Sequence, residues 1–179
     1  MANIHVKKTN IEGLYVIEPI VFSDHRGICF ETYNYEVFSS YGLNYNFVQD
    51  NESVSKKGVL RGMHVNMKHP QGKLIRVLSG EILDVVIDLR KESKTYMSCF
   101  SICLSAQNYK QLYIPKGMGH GYLALQDSRV LFKVTTHYIP DDEIGFAWNS
   151  AAINIDWGIQ EPIQNSKDKN SKDLSEVWL

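Results

Sequence analysis

No stretch of this chain is apolar for long enough to cross a bilayer. Its first residues, Met1-Ala2-Asn3-Ile4-His5, lack the charged-then-apolar order of a secretory leader. Surplus charge is missing too: 19 Lys and Arg stand against 20 Asp and Glu, a formal net charge of −1. That balance excludes a global basic field that would draw in nucleic acid or an anionic membrane, so any anion must be recognised locally. The three cysteines, Cys29, Cys99 and Cys103, are odd in number and lack CxxC spacing. Such usage argues for reduced thiols and against a disulfide framework. No His-x-His pair occurs, and His64 and His69 are five residues apart, so the usual histidine cluster of a metal site is absent. The expectation is a cytoplasmic protein with neither nucleic-acid nor membrane partner and without a bound metal.

The 179 residues suffice for one domain with a full core, and neither a repeat nor a linker divides them. A single domain over residues 1–179 is expected. Short apolar runs rich in β-branched and aromatic residues recur between turn residues: Leu14–Ile17, Phe47-Val48, Leu74–Val77, Glu81–Leu89, Met97–Leu104, Leu112–Ile114 and Val130–Thr136. Ser79-Gly80 reads as a hairpin turn between two of them. Beyond it, Leu83, Val85, Ile87 and Leu89 form an apolar face expected to meet a second sheet. The opposite face mixes Asp84 and Asp88 with Ile82 and Val86, as in a barrel interior that holds a site. Helical signals are few: Tyr35–Tyr41, and a polar stretch from Asp168 onward. The lysine-rich segment Gln164–Ser175 reads as a mobile tail, although Leu174, Val177, Trp178 and Leu179 at its end favour docking. Many strands with few helices give an all-β jelly-roll barrel or sandwich.

The segment from Arg61 to Asp88 concentrates the chemistry. Arg61, His64 and Lys73 fall within thirteen residues, beside Gly62 and Gly72, in a stretch of β character. Ionisable groups on rigid strands suit an anionic ligand and a proton transfer.

Several motifs, in order, resemble one family, the dTDP-4-dehydrorhamnose 3,5-epimerases and their nucleotide-sugar relatives. They are Phe22-Ser23-Asp24-His25-Arg26-Gly27, Val48-Gln49-Asp50-Asn51 with Ser53 and Ser55, Gly58-Val59-Leu60-Arg61-Gly62-Met63-His64 and Gln71-Gly72-Lys73-Leu74. Asp84…Asp88-Leu89-Arg90, Ile114-Pro115-Lys116-Gly117…His120-Gly121 and Ile155-Asp156-Trp157 complete the set. The resemblance implies a cupin-like jelly roll, no cofactor, and a homodimer with strand exchange in which Leu14–Ile17 takes part. The implied activity is a carbohydrate epimerase, an isomerase. Its substrate would be a nucleoside-diphosphate-4-keto-6-deoxy sugar, inverted at C3 and at C5 for building surface polysaccharide.

By the same resemblance, His64 is the general base that removes a proton beside the ketone, a task suited to an imidazole. Asp168 would orient it, the alternative being a solvated aspartate in a tail. Lys73, otherwise a strand-surface lysine, would hold the enolate oxygen. His120 matches a substrate-binding position, and Asp84 is either its partner or a carboxylate satisfied by backbone donors. Arg26 and Arg61 are the diphosphate candidates, because a guanidinium fork fits phosphate oxygens. Glu31, Gln49, Asn51, Glu143 and Lys167 fall on substrate-contact positions. Tyr138 either stacks on the base or forms a rim.

Three departures bear on specificity. Phe132 stands where the family places a proton-donating tyrosine, and phenylalanine has no proton to give. Inversion at C5 should suffer most, with C3 served by water or a displaced tyrosine. Ile28 follows Gly27 where an aromatic is usual, and Val65-Asn66 replaces an aromatic-Gln pair. A GDP-linked sugar or a heptose therefore stays open as a substrate. So does a nucleotide-sugar binding protein that has lost catalysis.

Overall fold

The computed structural model describes residues 3–139 and 141–177. Among them the chain forms, in order, β1 (Ile4–Lys8), β2 (Tyr15–Pro19), β3 (Phe22–Asp24), β4 (Gly27–Cys29), α1 (Tyr35–Ser40), β5 (Gln49–Ser55) and β6 (Leu60–Asn66). There follow β7 (Lys73–Ser79), β8 (Glu81–Asp88), β9 (Cys99–Ser105), β10 (Gln111–Ile114), β11 (Met118–Ala124), β12 (Ser128–Val134), β13 (Glu143–Gly145), α2 (Ser166–Lys169) and α3 (Leu174–Val177). Two antiparallel sheets result. One has the order β1-β2-β10-β7-β12-β5, the other β13-β6-β11-β8-β9, and β3-β4 forms a separate ribbon. This is the expected all-β, cupin-like jelly roll.

The turn at Ser79-Gly80 is not a hairpin. β7 pairs with β10 and β12, whereas β8 pairs with β11 and β9, so the turn carries the chain from one sheet to the other. Gly80 sits at φ +76°, and a Cβ there would meet the Asp127 carbonyl, so glycine is needed to turn this corner. The crossing places the consecutive strands β7 and β8 on opposite walls of one interior.

Strand alternation then decides what fills that interior. Ile75, Val77 and Val130 from the first sheet meet Ile82, Val86, Leu104 and Tyr122 from the second. Asp84 lies on the same inward face of β8 and is fully buried. The apolar face of Val85, Ile87 and Leu89 does not meet a second sheet. It is covered by Phe146, Ile153, Trp157 and Leu174 of the C-terminal segment. The polarity of residues 164–175 hides this docking, because only a few apolar side chains carry it. Leu174 is buried, and burying one leucine stabilises a fold by about 1.5–3 kcal/mol. Trp178 and Leu179 lie outside the described residues.

One further expectation shifts. The strand anticipated at Phe47-Val48 begins at Gln49, although the Val48 amide still donates to the Val134 carbonyl. β2 is hydrogen-bonded on both sides within its own chain, by β1 and β10. The open edges of that sheet belong to β1 and β5.

Candidate active site

Between the sheets lies a cavity of about 180 Å³ whose lining includes Ser53, Arg61, His64, Lys73, His120, Tyr122, Phe132, Glu143 and Asp168. β6 and β11 supply the histidines: His64 and His120 are register partners. Glycine makes this pairing close enough. A Cβ on Gly62 would stand 2.8 Å from Gly121 Cα and the His120 carbonyl, and one on Gly121 would stand 2.8 Å from the Arg61 carbonyl. A side chain at either position would push the histidine-bearing strands apart.

His64 is held from behind. Its Nε2 donates to Asp168 Oδ1 at 2.7 Å, while the Gly62 amide donates to Oδ2 at 3.2 Å. Asp168 is buried on α2, where Asn165 caps the helix by accepting from the Asp168 amide at 2.7 Å. Burial pushes the Asp168 carboxyl up, but the bond and charge of His64, the Gly62 amide and Lys167 leave it below the ordinary aspartate value. The carboxylate therefore fixes one tautomer, with hydrogen on Nε2 and a lone pair on Nδ1. Glu143 Oε1 lies 3.7 Å from that Nδ1 and accepts from Lys167 Nζ at 3.1 Å.

Lys73 enters from the opposite sheet. Desolvation by the surrounding protein lowers its pKa, with the carboxylates of Glu143 and Asp84 opposing the shift. No hydrogen bond or ion pair from its ammonium to another described residue is formed. An ammonium that faces a cavity and has no partner is a ready donor for an oxyanion. Deeper in, His120 Nε2 donates to Asp84 at 2.9 and 3.0 Å to its two oxygens. Of the two readings of Asp84, the structure has it bonded to the histidine.

The remaining candidates divide. Arg61 lines the cavity, its Nε donating to Ser55 Oγ at 3.0 Å and its Nη2 to the Val54 carbonyl at 3.1 Å. Gln49 and Asn51 share the face of β5 that carries Ser53; Gln49 donates to Asn51 at 2.8 Å and accepts from the Tyr138 amide at 3.0 Å. Tyr138 is 66% exposed. Lys167 touches the site through Glu143. Arg26 and Glu31 are not brought to the cavity of their own chain. Arg26 projects on the β3–β4 ribbon and pairs with Asp24 at 2.6 Å; Glu31 accepts from Asn34 at 3.0 Å. All six strand residues of the ribbon are exposed, and Arg26 stays with Asp24 on it.

Sequence reasoning missed Tyr122 and Asn165. The first was detectable: two residues from His120 on a strand, it must share the histidine's face.

The match to known proteins is close. The family model of dTDP-4-dehydrorhamnose 3,5-epimerase covers residues 8–176. The dTDP-4-dehydrorhamnose 3,5-epimerase of Methanothermobacter thermautotrophicus is 44% identical over 98% of this chain and 97% of its own. The crystal structure of dTDP-4-dehydrorhamnose 3,5-epimerase from Elizabethkingia anophelis superposes with a TM-score of 0.93 at 38% identity, over 99% of this chain and 100% of that one. The dTDP-6-deoxy-D-glucose-3,5-epimerase of Legionella pneumophila, solved with dTDP-4-keto-L-rhamnose, gives 0.92 at 36% identity, over 97% and 94%. On this evidence the chain belongs to the dTDP-4-dehydrorhamnose 3,5-epimerase family.

Proposed function

We propose that this isomerase takes a dTDP-linked 4-keto-6-deoxyhexose, inverting C3 with His64 and Lys73 and acting more weakly on C5. One observation carries the assignment of roles: an oriented imidazole and a partnerless ammonium line one cavity from opposite sheets. The C4 ketone acidifies the neighbouring C–H bonds because the charge left behind reaches oxygen. His64 Nδ1 takes the proton, and Asp168 and Glu143 balance the imidazolium. Lys73 donates to the developing enolate oxygen, and the carbon is then reprotonated from the other face. Arg61 is the diphosphate ligand within the chain. Gln49, Asn51 and Tyr138 border the nucleoside, and Phe132 supplies a wall without a proton. Neither chemistry nor binding in this scheme calls on a cofactor.

The named relatives are dTDP-sugar epimerases, which supports a dTDP-linked hexose over a GDP-linked heptose and an enzyme over a silent binder. We assign the active form as a homodimer. Phe22 and Ile28 on the β3–β4 ribbon are 56% and 50% exposed, and a second copy would cover them while bringing Arg26 to a cavity that lacks it. One epimerase domain over residues 1–179, working in the cytoplasm on the route to surface polysaccharide, fits this reading. No helix among the described residues is long and apolar enough to cross a membrane.

The test is incubation with dTDP- and GDP-linked 4-keto-6-deoxyglucose in D₂O, with deuterium located by NMR. Deuterium should enter C3 of the dTDP sugar, faster than C5. His64→Ala should slow that entry about 10²–10⁴-fold, and Lys73→Ala about 10²–10³-fold. Undiminished exchange in the His64 variant would sink the assignment, and equal rates at C3 and C5 would remove the preference.

A further inference from the structure

The scheme above needs a proton delivered from the wall opposite His64, and Phe132 leaves that wall without its phenol. Tyr122 is the single phenol among the described residues lining the cavity. It is 5% exposed, yet its hydroxyl is fully engaged: 2.8 Å from Ser53 Oγ and 3.0 Å from Ser55 Oγ. Arg61 Nε donates to the same Ser55 Oγ at 3.0 Å. Four polar groups thus form one line, Arg61–Ser55–Tyr122–Ser53, and its Ser53 end opens on the cavity.

Tyr122 and Ser53 lie on different walls. Tyr122 belongs to the sheet of His64. Ser53 sits on β5, in the sheet of Lys73 and Phe132, opposite Val130 and one inward position along from Asn51, the partner of Phe132. A proton stored on Tyr122 can therefore emerge on the wall facing His64.

We infer that Tyr122 and Ser53 form a proton relay that replaces the missing phenol at position 132, resting on the epimerase reading above. Ser53 gives its hydroxyl hydrogen to the enolate carbon and takes the Tyr122 hydrogen as it does so. One C–H and one O–H bond form while two O–H bonds break. The negative charge moves from the enolate to the Tyr122 oxygen, where the Ser55 hydroxyl, bonded to the Arg61 guanidinium, stabilises it. Water then returns a proton to Tyr122, and the His64 imidazolium releases one to water, so the cycle closes.

The experiment separates proton removal from inversion. Tyr122→Phe and Ser53→Ala are incubated with dTDP-4-keto-6-deoxyglucose in D₂O, and deuterium in unconverted substrate is compared with formation of the C3 epimer. Because His64 still removes the proton and returns a deuteron on its own side, exchange should continue near the unaltered rate. Inversion should fall about a hundredfold or more in both variants, the low end of a general-acid contribution. Adding Phe132→Tyr to Tyr122→Phe should restore inversion, which repair of a merely structural defect would not do. Thermal melts identify misfolding in the tyrosine variant, and Ser53→Ala then decides alone. An unchanged ratio of inversion to exchange overturns the relay. Absence of exchange in the unaltered protein overturns both the relay and the epimerase reading.

Discussion

Asp168 and Asp88 are both buried, acidic and strongly hydrogen-bonded, yet they do different work. Asp88 accepts from the Arg90 amide at 3.0 Å, Arg90 Nε at 2.9 Å, Arg90 Nη2 at 2.8 Å, Ser93 Oγ at 2.6 Å and Thr95 Oγ1 at 2.7 Å. Burial opposes ionisation there, but these donors hold the carboxyl down at about 2. Each of them keeps its proton at every pH where the protein works, so the cluster is a closed knot that pins the chain after β8. Asp168 has one amide and one imidazole. The imidazole can gain and lose a proton, and its far side faces the cavity. On the roles proposed above, what separates the structural carboxylate from the one serving chemistry is a partner able to change charge, not burial or the depth of the pKa shift.

The sharpest way to break this contrast is to neutralise each carboxylate. Asp168→Asn should lower turnover about 10²–10⁴-fold by losing the tautomer control and charge that support His64, with a melting temperature close to the parent's. Steady-state kinetics with a calorimetric scan checks it. Asp88→Asn should do the reverse, keeping kcat while costing on the order of 1–3 kcal/mol of stability as buried donors lose a charged acceptor; urea titration reads the loss. The smallest effect sharpens the comparison through pH. The Asp88 carboxyl lies below its ordinary value of 3.8, so its contribution is complete above about pH 4 and is lost as pH falls toward 2. The stability gap between the parent and Asp88→Asn should therefore narrow steadily over that interval.

Asp84, the two histidines, Asp168 and Arg26 show how far the sequence could be read. Alternation along Glu81–Leu89 correctly put Asp84 inside, because period-two patterning needs no tertiary knowledge. It could not say which sheet each strand joins, since a glycine turn looks alike whether it closes a hairpin or crosses between sheets. The strands bearing His64 and His120 were hard to see as strands. Their glycines weaken β-propensity, and the reason for them, close approach of β6 and β11, appears only in three dimensions. Asp168 was placed by resemblance alone; locally, its lysine-rich surroundings pointed to a tail. Arg26 was a phosphate candidate by residue type alone, and where its ribbon points could not be read.

The bond between His64 and Asp168 joins residues 104 positions apart. A ribosome completing the barrel strands has therefore made a pocket that is shaped but unarmed. His64 gains its carboxylate partner only when α2 emerges and seats itself against Gly62. A nascent chain stopped before that helix would lack the carboxylate that fixes the His64 tautomer.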